Sequence, residues 1–214
     1  TSGQLVLNPV STRAEDHNVV PSENSLRCLF FACLERDADA WQRRGWAPGL
    51  TGWRRYFRLL TFGGYRATAL YRLAHWAHTN GIPWVPTTLH EVNQALHGLE
   101  MTPSMVVGAG LYMPHTVGSV ITAAKIGEEV ELQGGITLGM RGAHGFPILD
   151  DEVVVSCGAR VLGTITVGRG SIIGANAVVI RDVAPCSVMV GVPARALPAE
   201  SNNADTQPTP GSST

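Results

Sequence analysis

The chain has 214 residues, 44% of them hydrophobic and 15% charged, with 16 Lys+Arg against 17 Asp+Glu and a formal net charge of −1. There is no basic field to attract nucleic acid and no polybasic face for a membrane surface, and the apolar runs are too short or too interrupted to span a bilayer. The start is polar and lacks the charged-then-apolar order of a signal peptide; the cysteines Cys28, Cys33, Cys157 and Cys186 have no metal-ligand spacing, and the reading is a cytoplasmic protein with reduced thiols.

In chain order, residues 1–24 are polar and Pro-interrupted and read as a disordered start. Ser25–Arg44 has helical apolar spacing, with Ser25 as N-cap. Thr51–Leu60 reads as a second short helix. Tyr65–His78 is the strongest helix, with a broad apolar side of Ala69, Leu70, Leu73, Ala74, Trp76 and Ala77, closed by Asn80-Gly81 with Pro83 following. Val85–Leu99 is a further helix ended by Gly98. These make a helical cap over 25–99. Residues 198–214 (PAESNNADTQPTPGSST) read as a disordered tail.

Between cap and tail the pattern changes period. Leu149–Ala184 divides into six-residue units whose first residues are Leu149, Val155, Val161, Val167, Ile173 and Val179, and whose fifth residues are Val153, Ala159, Ile165, Ser171, Ala177 and Val183. A period of six fits neither an α-helix nor a hairpin sheet; it marks a solenoid of short strands wound on a narrow column. The first position points inward, and the fifth packs near a corner. Ile126–Glu131 and Leu132–Thr137 fit the same template. Val107–Tyr112 and Met113–Gly118 fit more loosely, and Ser119–Lys125 is irregular. Leu138 opens a unit, but the next begins at Leu149, so five extra residues bulge out within 139–148. Loops on repeat proteins are where function is usually grafted. The class is α+β, a helical segment followed by a β-solenoid over 100–197. Its exposed flat sides favour closure against copies of itself, and Cys157 and Cys186 are expected as buried thiols.

Of seven histidines, His75, His78, His90 and His97 lie on predicted helices and His17 in the polar start. His115 and His144 differ. Both fall where the repeat calls for aliphatic, small or turn residues, His115 after Pro114 and His144 in the bulge, and their joint placement points to function. Glu100, just before the first coil, suits either an acid orienting His115 or an ordinary helix-end carboxylate, and spacing leaves both readings open. No phosphate loop or Gly-x-Ser-x-Gly elbow appears. No third histidine follows His144, which disfavours a metal site.

These residues carry a family resemblance. Tyr71–Trp76 (YRLAHW) resembles the "YRIGHW" helix of the serine O-acetyltransferases, a branch of the hexapeptide-repeat acyltransferases. Leu99–Pro103 sits at "VDIHP", Met113-Pro114-His115 at "LDH", Gly135–Gly139 (GITLG) at "SVTLG" and His144 at the "RHP" histidine. Gly168–Asn176 and Gly191–Arg195 (GVPAR) resemble the closing coils. The resemblance spans Tyr65–Arg195. It implies a left-handed parallel β-helix, a homotrimer with active sites between subunits, acetyl-CoA as co-substrate and a small hydroxyl acceptor, L-serine by default. His115 is then the general base, Glu100 replaces the family's aspartate in holding its ring, and His144 binds the acceptor or the oxyanion. A backbone N–H near Gly139 is a second oxyanion donor. The CoA arm passes Gly139 and Met140, then Cys157 and Ala175, with Arg195 on the nucleotide phosphates. The departures are Pro114 for an acid, Ala143 for an arginine and no proline after His144; Arg141 is the candidate substitute for the arginine. The Ser-Ser-Thr ending lacks the isoleucine of enzymes that dock on a cysteine synthase, so no such docking is expected. The alternatives are an O-acetyltransferase for another hydroxyl metabolite, a non-catalytic CoA-binding or assembly solenoid, and a zinc lyase resembling the γ-class carbonic anhydrases.

Overall fold

A computed structural model describes residues 23–142 and 145–198. The polar start, the tail and the two residues Ala143 and His144 fall outside the described residues. Four helices come first: α1 (Glu23–Arg43), α2 (Gly52–Leu59), α3 (Gly63–Thr79) and α4 (Val85–His97). Ser25 lies inside α1 rather than capping it, because the helix begins two residues earlier. No described helix is long and apolar enough to cross a membrane.

The strands follow as β1 (Leu99–Met101), β2 (Val106–Val107), β3 (Ser119–Ile121), β4 (Lys125–Ile126), β5 (Glu131–Leu132), β6 (Thr137–Gly139), β7 (Ile148–Leu149), β8 (Val154–Val155), β9 (Arg160–Leu162), β10 (Thr166–Val167), β11 (Ile172–Ile173), β12 (Val178–Val179), β13 (Val188–Val190) and β14 (Arg195–Ala196). They form three flat walls. Sheet A is β1-β3-β6-β9-β12, sheet B is β2-β4-β7-β10 and sheet C is β5-β8-β11-β13-β14. Every pairing is parallel except β13 with β14, a closing hairpin at the last coil. Bridges from Tyr112 to Glu131 and from Val183 to Val167 extend the walls to the first and last coils. The chain therefore winds A, B, C in repeating order, a parallel β-helix of five coils.

The column is filled as the period requires. Leu149, Val155, Val161, Val167, Ile173 and Val179 are all at most 1% exposed. Burying each such side chain contributes roughly 1.5–3 kcal/mol before chain entropy is counted. Cys157 and Cys186 are exposed, contrary to expectation. Both sit at corners, where the backbone turns side chains outward, and Cys186 has φ 56°.

The helices dock on the first two coils through one buried ion pair. Asp37 of α1 is fully buried and accepts from Arg72 Nε at 2.9 Å and Nη2 at 3.0 Å, and from the Gly110 and Leu111 N–H groups at 2.9 and 2.8 Å. Arg72 also donates to the Val107 and Gly108 carbonyls, both at 2.6 Å. This pair turns α3: Tyr71, Arg72, Ala74 and Ala77 face inward, whereas Leu73, expected on the apolar side, is 38% exposed. Arg36, Arg43 and Arg44 add ion pairs to Glu128, Glu129 and Glu131 at the solenoid edge, each worth little in solvent.

Candidate active site

The turn from Met113 to Gly118 carries His115 between sheet C and sheet A in the first coil. His115 is exposed, while Thr116 behind it is buried. The turn is held on three sides. Thr116 Oγ1 donates to the His97 carbonyl at 2.7 Å, and the Gly118 N–H donates to the Gly98 carbonyl at 3.0 Å. Gly98 ends α4 in the left-handed region at φ 60°, a conformation glycine adopts at no steric cost. In the next coil, a Cβ on Gly134 would stand 3.0 Å from the His115 Cβ, a contact tight enough that the turn would have to give by a few tenths of an ångström. In α3, a Cβ on Gly64 would fall inside the Met113 carbonyl oxygen.

Glu100 is the central residue of β1, on the outer face of sheet A, between the inward-facing Leu99 and Met101. Its register partner is Val120 of β3, the strand into which the His115 turn leads. Chain topology thus places His115 at one edge of sheet A and Glu100 one residue in from that edge, and no hydrogen bond joins carboxylate to ring among the described residues.

The bulge leaves from Gly139, at the other edge. The Gly139 carbonyl accepts from the Gly163 N–H at 2.9 Å, and the chain re-enters at Pro147, whose carbonyl accepts from the Ala124 N–H at 2.8 Å. Met140 is 55% exposed and Arg141 is exposed as well. His144, in the same bulge, lies outside the described residues. A three-residue strand spans about 10 Å, so within one chain sheet A separates His115 from Arg141. Cys157 and Ala175, both exposed, stack on the His115 edge: the Gly158 N–H donates to Gly134 at 3.0 Å and the Asn176 N–H to Cys157 at 2.9 Å. One groove of one chain therefore does not connect Gly139 and Met140 with Cys157 and Ala175, because they occupy opposite corners. Arg195 is exposed on β14, beyond the cis Val192–Pro193 bond. Among the described residues, no three His, Cys, Asp or Glu side chains converge to hold a metal ion.

No family model matches the chain. Curated relatives do. A serine acetyltransferase of Bacillus licheniformis is 33% identical over 174 residues, 79% of this chain and 78% of that protein. The chain belongs to the serine acetyltransferase family. The serine acetyltransferase of Helicobacter pylori strain J99 is 38% identical over 143 residues, 65% of this chain and 84% of that one. The Mycobacterium tuberculosis serine acetyltransferase is 36% identical over 157 residues, and the chain spans 66% of its length; it spans 59% of the Synechococcus elongatus relative. Among solved structures, Neisseria gonorrhoeae serine acetyltransferase in complex with serine superposes with a TM-score of 0.70 at 27% identity, covering 84% of this chain and 72% of that one. A serine acetyltransferase complexed with CoA gives a TM-score of 0.71 at 28% identity, covering 81% and 72%. The helical segment followed by a left-handed parallel β-helix is thus the family architecture.

Against that family background, sequence reasoning overlooked three residues near the His115 edge. Arg160 stands on the outer face of sheet A, in register with Thr137, and Nη1 donates to the Gly135 and Gly158 carbonyls at 2.8 and 3.0 Å. The available signal was weak: a charged residue at the last position of a six-residue unit, where the other units from Leu149 to Ala184 end in Val154, Thr166, Ile172, Val178 and Ala184 but the upstream unit Ile126–Glu131 also ends in a charge. Thr116 and Gly64 carried no sequence signal, since their partners lie 19 or more residues away.

Proposed function

We propose that the protein is an acetyl-CoA-dependent O-acetyltransferase that moves acetyl directly to a hydroxyl of a small acceptor, L-serine first among them. The observation that carries this is the exposed His115 imidazole on a turn pinned by α3, α4 and the next coil, in a chain whose structural neighbours are recorded with serine and with CoA. His115 takes the proton from the acceptor hydroxyl as that oxygen attacks the thioester carbonyl. When the C–S bond breaks, His115 returns the proton to the leaving thiolate, so the products are the acetyl ester and free thiol. Glu100 supports the imidazolium, and His144 with a backbone N–H near Gly139 stabilises the oxyanion. Direct transfer asks for no acyl-enzyme. The small residues Cys157, Gly158 and Ala175 keep their corner low enough for a flexible pantetheine arm, and Arg195 suits the phosphates.

The opposite-edge placement of His115 and the bulge supports a site completed by a neighbouring copy: the His115 edge of one subunit meets the Gly139–Arg141 edge of the next in a closed trimer. Pro114 and Val117, the latter 77% exposed, flank His115 with apolar surface. They favour, as a second reading, a hydroxyl acceptor less polar than a free amino acid.

The test is thiol release from acetyl-CoA with serine and a panel of hydroxyl acceptors. Folded protein that releases no thiol with any of them refutes the activity. His115→Ala lowers turnover by several orders of magnitude, and a loss smaller than about tenfold removes the base role. Mixed trimers of His115→Ala and His144→Ala subunits regain about one quarter of the wild-type sites if two subunits build each site, and none if one subunit does.

A further inference from the structure

We propose that Thr116 is a positioning residue, and that the helical segment sets the pose of His115 through it; this rests on the reading of His115 as the base. Thr116 is 6% exposed between two exposed neighbours. Its hydroxyl donates to the carbonyl of His97, the last residue of α4. That carbonyl is one of the helix-end acceptors that no intrahelical N–H reaches, so the hydroxyl fills a vacancy the helix itself creates. The Gly118-to-Gly98 hydrogen bond repeats the tie two residues on. On the other flank, Gly64 of α3 approaches Met113 and Pro114 so closely that any side chain displaces the turn; its Cβ would stand 3.0 Å from the Pro114 carbonyl and still nearer that of Met113. The two helices act together, because the Asn93 amide of α4 donates to the Ala67 carbonyl of α3 at 3.0 Å. His115 is therefore held from the helical side as much as from its own coil. A shift of α3 and α4 against the solenoid moves the anchor of the His115 imidazole, and the helices become part of the catalytic apparatus.

The experiment compares wild type with Thr116→Val, Thr116→Ser and Gly64→Ala, each shown by thermal melting to be folded. Thr116→Val keeps the shape and loses the donor. It lowers kcat about tenfold, the equivalent of one buried hydrogen bond, and leaves the KM for acetyl-CoA within about twofold. Thr116→Ser restores the hydroxyl and most of the rate. Gly64→Ala forces the turn by about 1 Å and lowers kcat about a hundredfold. The same variants are read without turnover through the His115 ring resonances in histidine-labelled protein, assigned with His115→Gln. These shift in Thr116→Val and Gly64→Ala and return in Thr116→Ser. A Thr116→Val enzyme with unchanged kcat and unmoved resonances overturns the proposal, as does a Thr116→Ser variant as impaired as Thr116→Val. If wild type releases no thiol with any acceptor, the transferase reading fails, and the resonances alone decide whether Thr116 holds the ring.

Discussion

Asp37→Ala removes the acceptor of four hydrogen bonds in one step: two from Arg72 and one each from the Gly110 and Leu111 N–H groups. Arg72 is 4% exposed and keeps only the Val107 and Gly108 carbonyls, so its charge is stranded. Breaking a buried ion pair from one side costs about 3–5 kcal/mol. The two orphaned N–H groups add about 1–3 kcal/mol each where water does not reach them. Water entering the space left by the carboxylate offsets part of this, and a net loss of about 4 kcal/mol is expected. With a urea slope of about 2–3 kcal/mol per molar, the midpoint falls by about 1.3–2 M. Equilibrium unfolding at fixed protein concentration reads this through Trp41, which is 1% exposed and packs against Tyr112 with ring centroids 5.0 Å apart. Adding Arg72→Met to Asp37→Ala removes the stranded charge and recovers more than half of the loss. A midpoint shift below about 0.5 M for Asp37→Ala, or a double variant no better than the single, refutes the view that this pair locks the helices to the first coil. Because Gly110 and Leu111 lead directly into Met113–His115, a folded Asp37→Ala protein also loses turnover.

Gly134→Ala tests the space beside His115. Gly134 is not held at positive φ, so the substitution introduces bulk and not backbone strain; kcat drops about tenfold while the urea midpoint changes little. An unaltered kcat means the turn yields freely. Stability also depends on pH. Burial pushes His75 and His97 below the ordinary value of 6.5, and His75 Nδ1 is engaged by the Pro103 carbonyl at 2.8 Å. With depressed folded values the unfolded chain binds more protons in that window. The stabilisation is therefore complete above about pH 6.5 and is lost as pH falls through the folded values. Urea midpoints measured at successive pH values from neutral to mildly acidic fall; a constant or rising midpoint contradicts the sign.

The winding was legible because its signal is repeated. Each first-position residue from Leu149 to Val179 is buried, and the five-residue excess between Leu138 and Leu149 lies at a corner, as a loop that a wall cannot absorb must. The helices were legible for a different reason, their apolar spacing and the stop at Gly98. What failed has two causes. Arg72 faces inward on account of Asp37, 35 residues upstream, and Leu73 is left outside; local periodicity carries no trace of such a partner. Ser25 was misplaced because a polar residue in the first turn of α1 looks like a cap when the helix start is not otherwise marked.

The site was half legible for a geometric reason. A six-residue period states that the chain turns, but not which of three corners a given turn occupies. Assigning His115 to the edge between sheets C and A, and Gly139–Arg141 to the edge between A and B, needs the count of walls since the start of the solenoid. That count has a chemical consequence. A three-residue wall spans about 10 Å, and the outer face of sheet A lies between the two corners. Glu100, Thr137 and Arg160 project from that face along one register column, polar groups on a wall whose edges hold the two candidate halves of the site. Under the proposed roles, a base at one corner and an acceptor loop at the next need a second copy to bring the complementary corner alongside, and assembly then becomes a condition of catalysis and not an addition to it.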